Sequence, residues 1–192
     1  MKKFTLILIV LFMAIAAYSQ VELKPAIGIN VSNVSKDPDT GNATGQVGYQ
    51  VGASVLIGEK FYIDPGIFYV KKSTQFVEEG TSVEELKLDM SGIRIPVAVG
   101  YHLLGNEESL AALRILGGGS AFFVTGVDAE GANKDDFKSP TWGLFAGAGL
   151  DIWILFLDVK YEWSLTDVSS VTDFDIGKYR SFYSNLGVRI KF

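Results

Sequence analysis

The chain has 192 residues, 48% of them hydrophobic, with 17 basic and 22 acidic side chains, one histidine and no cysteine. That length suits one domain; the missing cysteines exclude a disulfide-stapled fold, and the single histidine excludes a multi-histidine metal site. The acid excess, a formal charge of −5, excludes nucleic acid as a partner, because phosphate binding needs a basic footprint.

In chain order, the first element is MKKFTLILIVLFMAIAAYSQ. Lys2 and Lys3 form a basic start, Leu6–Ile15 an apolar run, and Ala16, Ala17 and Ser19 a small-residue end. This predicts a secretory signal peptide cut after Ser19. The apolar run is shorter than the ~20 residues of a spanning helix. No cysteine follows it, so lipid anchoring there is excluded. Residues 1–19 are therefore set aside, and 20–192 are read as one domain. Removing Lys2 and Lys3 leaves 15 basic side chains against 22 acidic, a formal charge of −7.

After Ser19 a two-residue period replaces any helical one, and eight strands are predicted. The first, about 23–33, sets Leu23, Ile27, Ile29 and Val31 against Lys24, Ala26, Gly28, Asn30 and Ser32. The second, about 46–57, sets Val47, Tyr49, Val51, Val55 and Ile57 against Gln46, Gly48, Gln50, Gly52 and Ser54. The third, about 60–72, sets Phe61, Ile63, Ile67 and Tyr69 against Lys60, Tyr62, Asp64 and Gly66. In the fourth, about 85–102, Ile93, Ile95, Val97, Val99 and Tyr101 oppose Gly92, Arg94, Ala98 and Gly100. Its apolar phase flips upstream to Leu86, Leu88 and Met90, which predicts a bulge near Ser91–Gly92.

The fifth strand, about 112–125, holds GGGSAFF and has no readable facing. The sixth, about 140–150, alternates Trp142, Leu144, Ala146, Ala148 and Leu150 with Gly143, Phe145, Gly147 and Gly149. The seventh, about 154–165, opposes Leu155, Leu157, Val159, Tyr161, Trp163 and Leu165 to Asp158, Lys160, Glu162 and Ser164. The eighth, about 180–192, opposes Phe182, Leu186, Val188, Ile190 and Phe192 to Tyr183, Asn185, Gly187, Arg189 and Lys191.

Across these strands the polar face is also the small face. A sheet on a soluble core buries its bulky apolar side chains, whereas a narrow barrel in lipid turns them outward and keeps small and polar groups inside. The connections agree. At about 34–45, 58–59, 73–84, 103–111, 126–139, 151–153 and 166–179 they alternate between long and short, as in barrels with long surface loops and short periplasmic turns. The fold expected is an eight-stranded antiparallel up-and-down transmembrane β-barrel with both termini in the periplasm. A soluble exported ligand-binding barrel is the alternative. Aromatics fall at both ends of the strands: Phe61, Tyr101, Trp153 and Phe192 beside the short turns, Tyr69, Trp142 and Trp163 at the other end. Two such belts are expected at membrane interfaces.

Three stretches carry a family resemblance. SGIRIPVAVGYHL (91–103), WGLFAGAGLDIWILFLDVKYEWSLTDV (142–168) and the terminal NLGVRIKF resemble the small outer-membrane β-barrel family of Gram-negative bacteria that includes porin-like and PorT-like proteins. The fifth strand departs from the family pattern, with Gly117–Gly119 leading into Ser120–Ala121–Phe122 where Pro and Tyr are common. The resemblance implies an outer-membrane location and outer-membrane lipid as a partner. It also implies a terminal strand, Leu186, Val188, Ile190 and Phe192, that barrel-assembly machinery reads. It implies no shared activity.

Inside such a barrel a polar network is expected from Asp64, Arg94, Arg114, Asp158, Lys160, Glu162, Arg189 and Lys191, with Arg94 paired to a carboxylate of the seventh strand, because buried charge must be compensated. Eight strands leave no continuous aqueous channel. An enzyme is not expected: a serine nucleophile needs a histidine base, His102 is the only candidate, and it is read as an interfacial side chain at a strand end. No cofactor is indicated. The long loops are acidic (Glu78, Glu79, Glu84 and Glu85; Asp128, Glu130, Asp135 and Asp136), and DPDTG (37–41) and DFDIG (173–177) put paired carboxylates beside a glycine. Neither completes a calcium loop, and Asp-Gly turns are ordinary surface chemistry. The function expected is a structural, adhesion or partner-docking role through the loops of a monomeric barrel, toward another envelope or surface protein. A narrow porin-like pore is the alternative.

Overall fold

A computed structural model describes residues 21–34, 41–78, 85–105, 109–128, 139–166 and 179–192. The signal-like segment and most of the acidic stretches, including Glu79, Glu84, Glu130, Asp135, Asp136 and 173–177, lie outside the described residues. The chain forms β1 Val21–Val34, β2 Gly41–Gly58, β3 Phe61–Glu78, β4 Glu85–Leu104, β5 Ala111–Asp128, β6 Thr141–Ile152, β7 Leu155–Ser164 and β8 Tyr179–Val188. Each pairs antiparallel with the next, and β1 pairs with both β2 and β8, so the sheet closes on itself. A two-residue run, β9 Ile190–Lys191, continues β8 along β1 in the same register. The eight strands read from the alternation are all present, and the barrel is closed.

β2, β3 and β5 run further toward the loop end than the composition suggested. Gly41–Gly45, within a stretch read as loop, lies in ladder with Thr74–Glu78. Glu78, Glu85 and Asp128 are thereby terminal strand residues. A tilted membrane strand needs about 9–11 residues, so β4, with 20, extends well past the hydrocarbon layer. The turn ends are short: Gly58, in the positive-φ region that glycine tolerates, leads into the β2–β3 turn, and Trp153–Ile154 link β6 to β7.

The register shift at Ser91/Gly92 exists, but its extra residue lies elsewhere. Gly92 pairs with Val124 and Ser91 with Gly126, so Thr125 of β5 is the bulged residue. β4 itself keeps its phase. Met90 points into the barrel with Gly92 and Arg94, and is buried there. The expected flip in β4 was an apolar interior misread as a change of face.

Prolines lie at three of the breaks in the ladders, where each removes a donor. The β3–β4 ladder skips Gly66–Ile67 opposite Ile95–Pro96, and the β2–β3 ladder skips Val55–Leu56 opposite Asp64–Pro65. At the closing seam the β1–β8 ladder skips Lys24–Pro25 opposite Val188–Arg189, and the Arg189 amide instead donates to the Ile154 carbonyl at 2.7 Å.

Candidate functional site

The even-numbered residues of β1 to β4 and β7, those of β5 up to its bulge at Thr125, and the odd-numbered ones of β6 and β8 face the interior. They fill it. Toward the turn end, four cations (Lys24, Arg114, Lys160 and Arg189) meet four carboxylates (Glu22, Asp64, Asp151 and Asp158), every one buried. Asp158 is the hub: Arg114 lies at 2.8 Å, Lys24 at 3.3 Å and Lys160 at 3.5 Å. Lys24 also reaches Asp64 at 3.1 Å, and Arg114 donates to Asp151 at 2.7 and 2.8 Å. Arg189 donates twice to Glu22, at 2.6 and 2.8 Å, and lies 3.3 Å from Asp151. Equal numbers of opposite charges at these distances offset the cost of removing each from water.

A second group sits at mid-height. Arg94 Nε donates to Glu162 at 3.0 Å, its Nη2 donates to the same oxygen, and Ser120 Oγ adds a third bond at 2.7 Å. The Arg94 guanidinium lies 4.3 Å from the centre of the Tyr183 ring and 5.4 Å from that of Phe145. Planar charge on aromatic faces suits a site closed to water. Across the seam, Gln50 donates to Asn185, and the Ser32 and Ser181 hydroxyls bond at 2.8 Å.

Of the eight residues expected in this network, seven are buried in the interior and brought together by these bonds. Lys191 is not. Its side chain is 43% exposed at the turn-end rim, 3.9 Å from Glu22, because β9 is the last rung before the mouth. His102 also departs from expectation: it is buried in the interior, not at the interface, with its ring against Tyr62 at 5.2 Å and Nε2 4.0 Å from Asp151. Its even number puts it in phase with Arg94, a signal that was available. Lys24 had already been given the inward face, but neither it, Glu22 nor Asp151 was counted in the network. Asp151 falls in the stretch expected to be turn, and it is the last inward residue of β6.

The interior is not polar throughout. Phe68, Val70, Met90, Phe122 and Val124 form a buried cluster with Tyr183, Ala26 and Phe156, and Val127 packs on it. Most of these lie in the loop-side halves of β3, β4 and β5. The lipid-facing wall is the opposite: Ile27, Val51, Val99, Leu144 and Leu186 are all exposed. Of the belt aromatics, Phe61, Trp153, Phe192, Tyr69, Trp142 and Trp163 are exposed on the outer surface, and Tyr101 packs on Phe61 at 4.6 Å. Leu186, Val188 and Ile190 share that outward face.

Interior glycines make room for this filling. A Cβ on Gly149 falls 2.8 Å from the Arg114 guanidinium, and one on Gly100 lands in the Tyr62 ring. Gly117 faces outward, and its Cβ meets nothing nearer than the Phe145 carbonyl at 3.4 Å. We therefore expect opposite outcomes from two similar changes. Gly149→Val should cost about 1–3 kcal/mol by overpacking, whereas Gly117→Ala should gain about 0.5–1 kcal/mol. Urea midpoints of the folded barrel in detergent decide between them.

Comparison with known proteins follows the same lines. Residues 16–170 match the family model described as outer membrane protein beta-barrel domain. No curated protein sequence matches the chain. Among solved structures, the outer membrane protein OprG from Pseudomonas aeruginosa aligns over 91% of this chain and 96% of its own, at 14% identity and a TM-score of 0.58. Ail, the attachment invasion locus protein of Yersinia pestis, in complex with the heparin analogue sucrose octasulfate, aligns over 90% of this chain and 99% of its own, at 10% identity and a TM-score of 0.45. The likeness to OprG is one of fold.

Proposed function

Because the chain belongs to the outer membrane protein beta-barrel domain family, we propose that it is a non-conducting, non-enzymatic outer-membrane barrel that acts through what it holds outside the bilayer. The role is structural, adhesive or partner-docking, carried by the acidic segments between the strands at the loop end. The observation that supports this reading is the filled interior. The turn-side charges are paired with one another, and above them buried aromatic, aliphatic and hydrogen-bonded polar side chains pack the interior. Such an interior rigidifies the wall and does not conduct.

Planar-bilayer recording of the purified full chain tests the reading. We expect no unitary conductance steps; clear, reproducible steps would overturn the docking role in favour of a narrow pore. The rest of the assignment goes with the same reading. Residues 1–19 are the export signal, both termini lie in the periplasm, and the exposed aromatics sit at the two lipid interfaces. The strand ending at Phe192 is the segment that assembly machinery engages, and the barrel is a monomer in outer-membrane lipid.

A further inference from the structure

We propose that Arg180 is a docking point for the phosphate of an outer-leaflet lipid. Arg180 lies near the loop end of β8, beside Trp163 on β7 and Asn33 on β1. It shares the outward phase of Phe182, while its neighbour Ser181 is buried in the interior. Its side chain is therefore exposed on the outer wall, and among the described residues it makes no hydrogen bond or ion pair. Other cations near the outer surface do have company. Lys71, on the outer wall of β3, lies 2.8 Å from Asp89, and Lys60, at a turn, lies over the Tyr101 ring.

A guanidinium on a lipid-facing wall cannot rest in hydrocarbon and must reach the headgroup layer. The wall beneath it is mostly aromatic and aliphatic: Tyr161 and Trp163 form an edge-on pair at 4.9 Å, Phe182 is cross-strand to Tyr161, and below Val159 and Ser184 the next outward pair is Leu157 with Leu186. A free anion finds no use for that surface, whereas a lipid brings its charge and its chains together. The guanidinium fork matches phosphate oxygens two at a time, which points to a phosphorylated headgroup. The site rests on the orientation proposed above, with the loop end outermost, and it names the lipid that orientation presents.

The test uses the full chain in nanodiscs containing bis-phosphorylated lipid A, its dephosphorylated form and phosphatidylglycerol in equal amounts. Native mass spectrometry then counts the lipids retained on ejection. Unboiled gel mobility confirms that each variant is folded. The wild-type chain should retain bis-phosphorylated lipid A in preference to the dephosphorylated form. Arg180→Ala should lose that preference roughly tenfold, Arg180→Lys should lose less, and Lys71→Ala should keep it. Equal preference in Arg180→Ala, or an equal loss in Lys71→Ala, overturns the site. Arg180-dependent retention of phosphatidylglycerol instead of lipid A overturns the orientation while leaving the phosphate contact standing.

Discussion

Replacing Arg94 with Met should destabilise the folded barrel by about 3–5 kcal/mol, the cost of leaving a buried charge without its partner. Glu162 would remain buried at mid-height with only Ser120 donating to it from close range. Methionine fills most of the volume beside Tyr183 and Phe145, so the loss reports charge more than packing. The double change Arg94→Met with Glu162→Leu removes both charges and should recover most of the stability. Urea unfolding in detergent micelles, read by the mobility of unboiled samples, measures all three chains. A single variant within about 0.5 kcal/mol of the parent contradicts the ion-pair account; 0.5 is the scatter usual for changes away from any special contact. A double variant as weak as the single one would mean that stacking on Tyr183, not the pair, is what matters.

Asp158→Asn should be comparably severe and more damaging than Asp64→Asn. Asp158 receives Arg114, Lys24 and Lys160, whereas among the described residues Asp64 is bonded by Lys24 alone. Neutralising the hub leaves four buried cations facing three carboxylates, a cost of about 3–5 kcal/mol with almost no change in volume. High salt should not rescue the variant, because screening acts on solvent-exposed charges and these are enclosed. The comparison is the test. If the two asparagine variants unfold at the same urea concentration, Asp158 is one member of a diffuse network and not its centre.

The barrel was legible because its signal is repeated. Eight segments alternate, and the short connections fall at every second position, so each strand constrains the facing of its neighbours. Asp158, Lys160 and Glu162 point inward for no other reason than their place in the period of β7. What escaped the sequence reading were the positions where the alternation carries no contrast. Phe68, Val70, Phe122 and Val124 are apolar on the inner face beside apolar residues on the outer one, and a run apolar on both sides reads as featureless. Met90 produced an error by the same route. His102 and Asp151 sit at strand ends, where composition resembles a turn and only the residue count preserves the facing. Pairings such as Arg189 with Glu22 join residues 167 positions apart, and no local pattern carries such information.

The broken ladder between β1 and β8 bears on how the cylinder shuts. Nine rungs join the loop-side part of that seam and two more the turn-side end, and Lys24–Pro25 opposite Val188–Arg189 lie unpaired between them. Backbone in a membrane has no water to fall back on, so the place where Pro25 denies a donor is the weak point of the backbone seam. There the chain substitutes a clasp for a rung: Glu22 near one terminus grips Arg189 near the other. The clasp is electrostatic, and it joins the two ends of the folded chain across their own seam. A barrel closed this way is held by a buried ion pair at the place where its backbone ladder is interrupted.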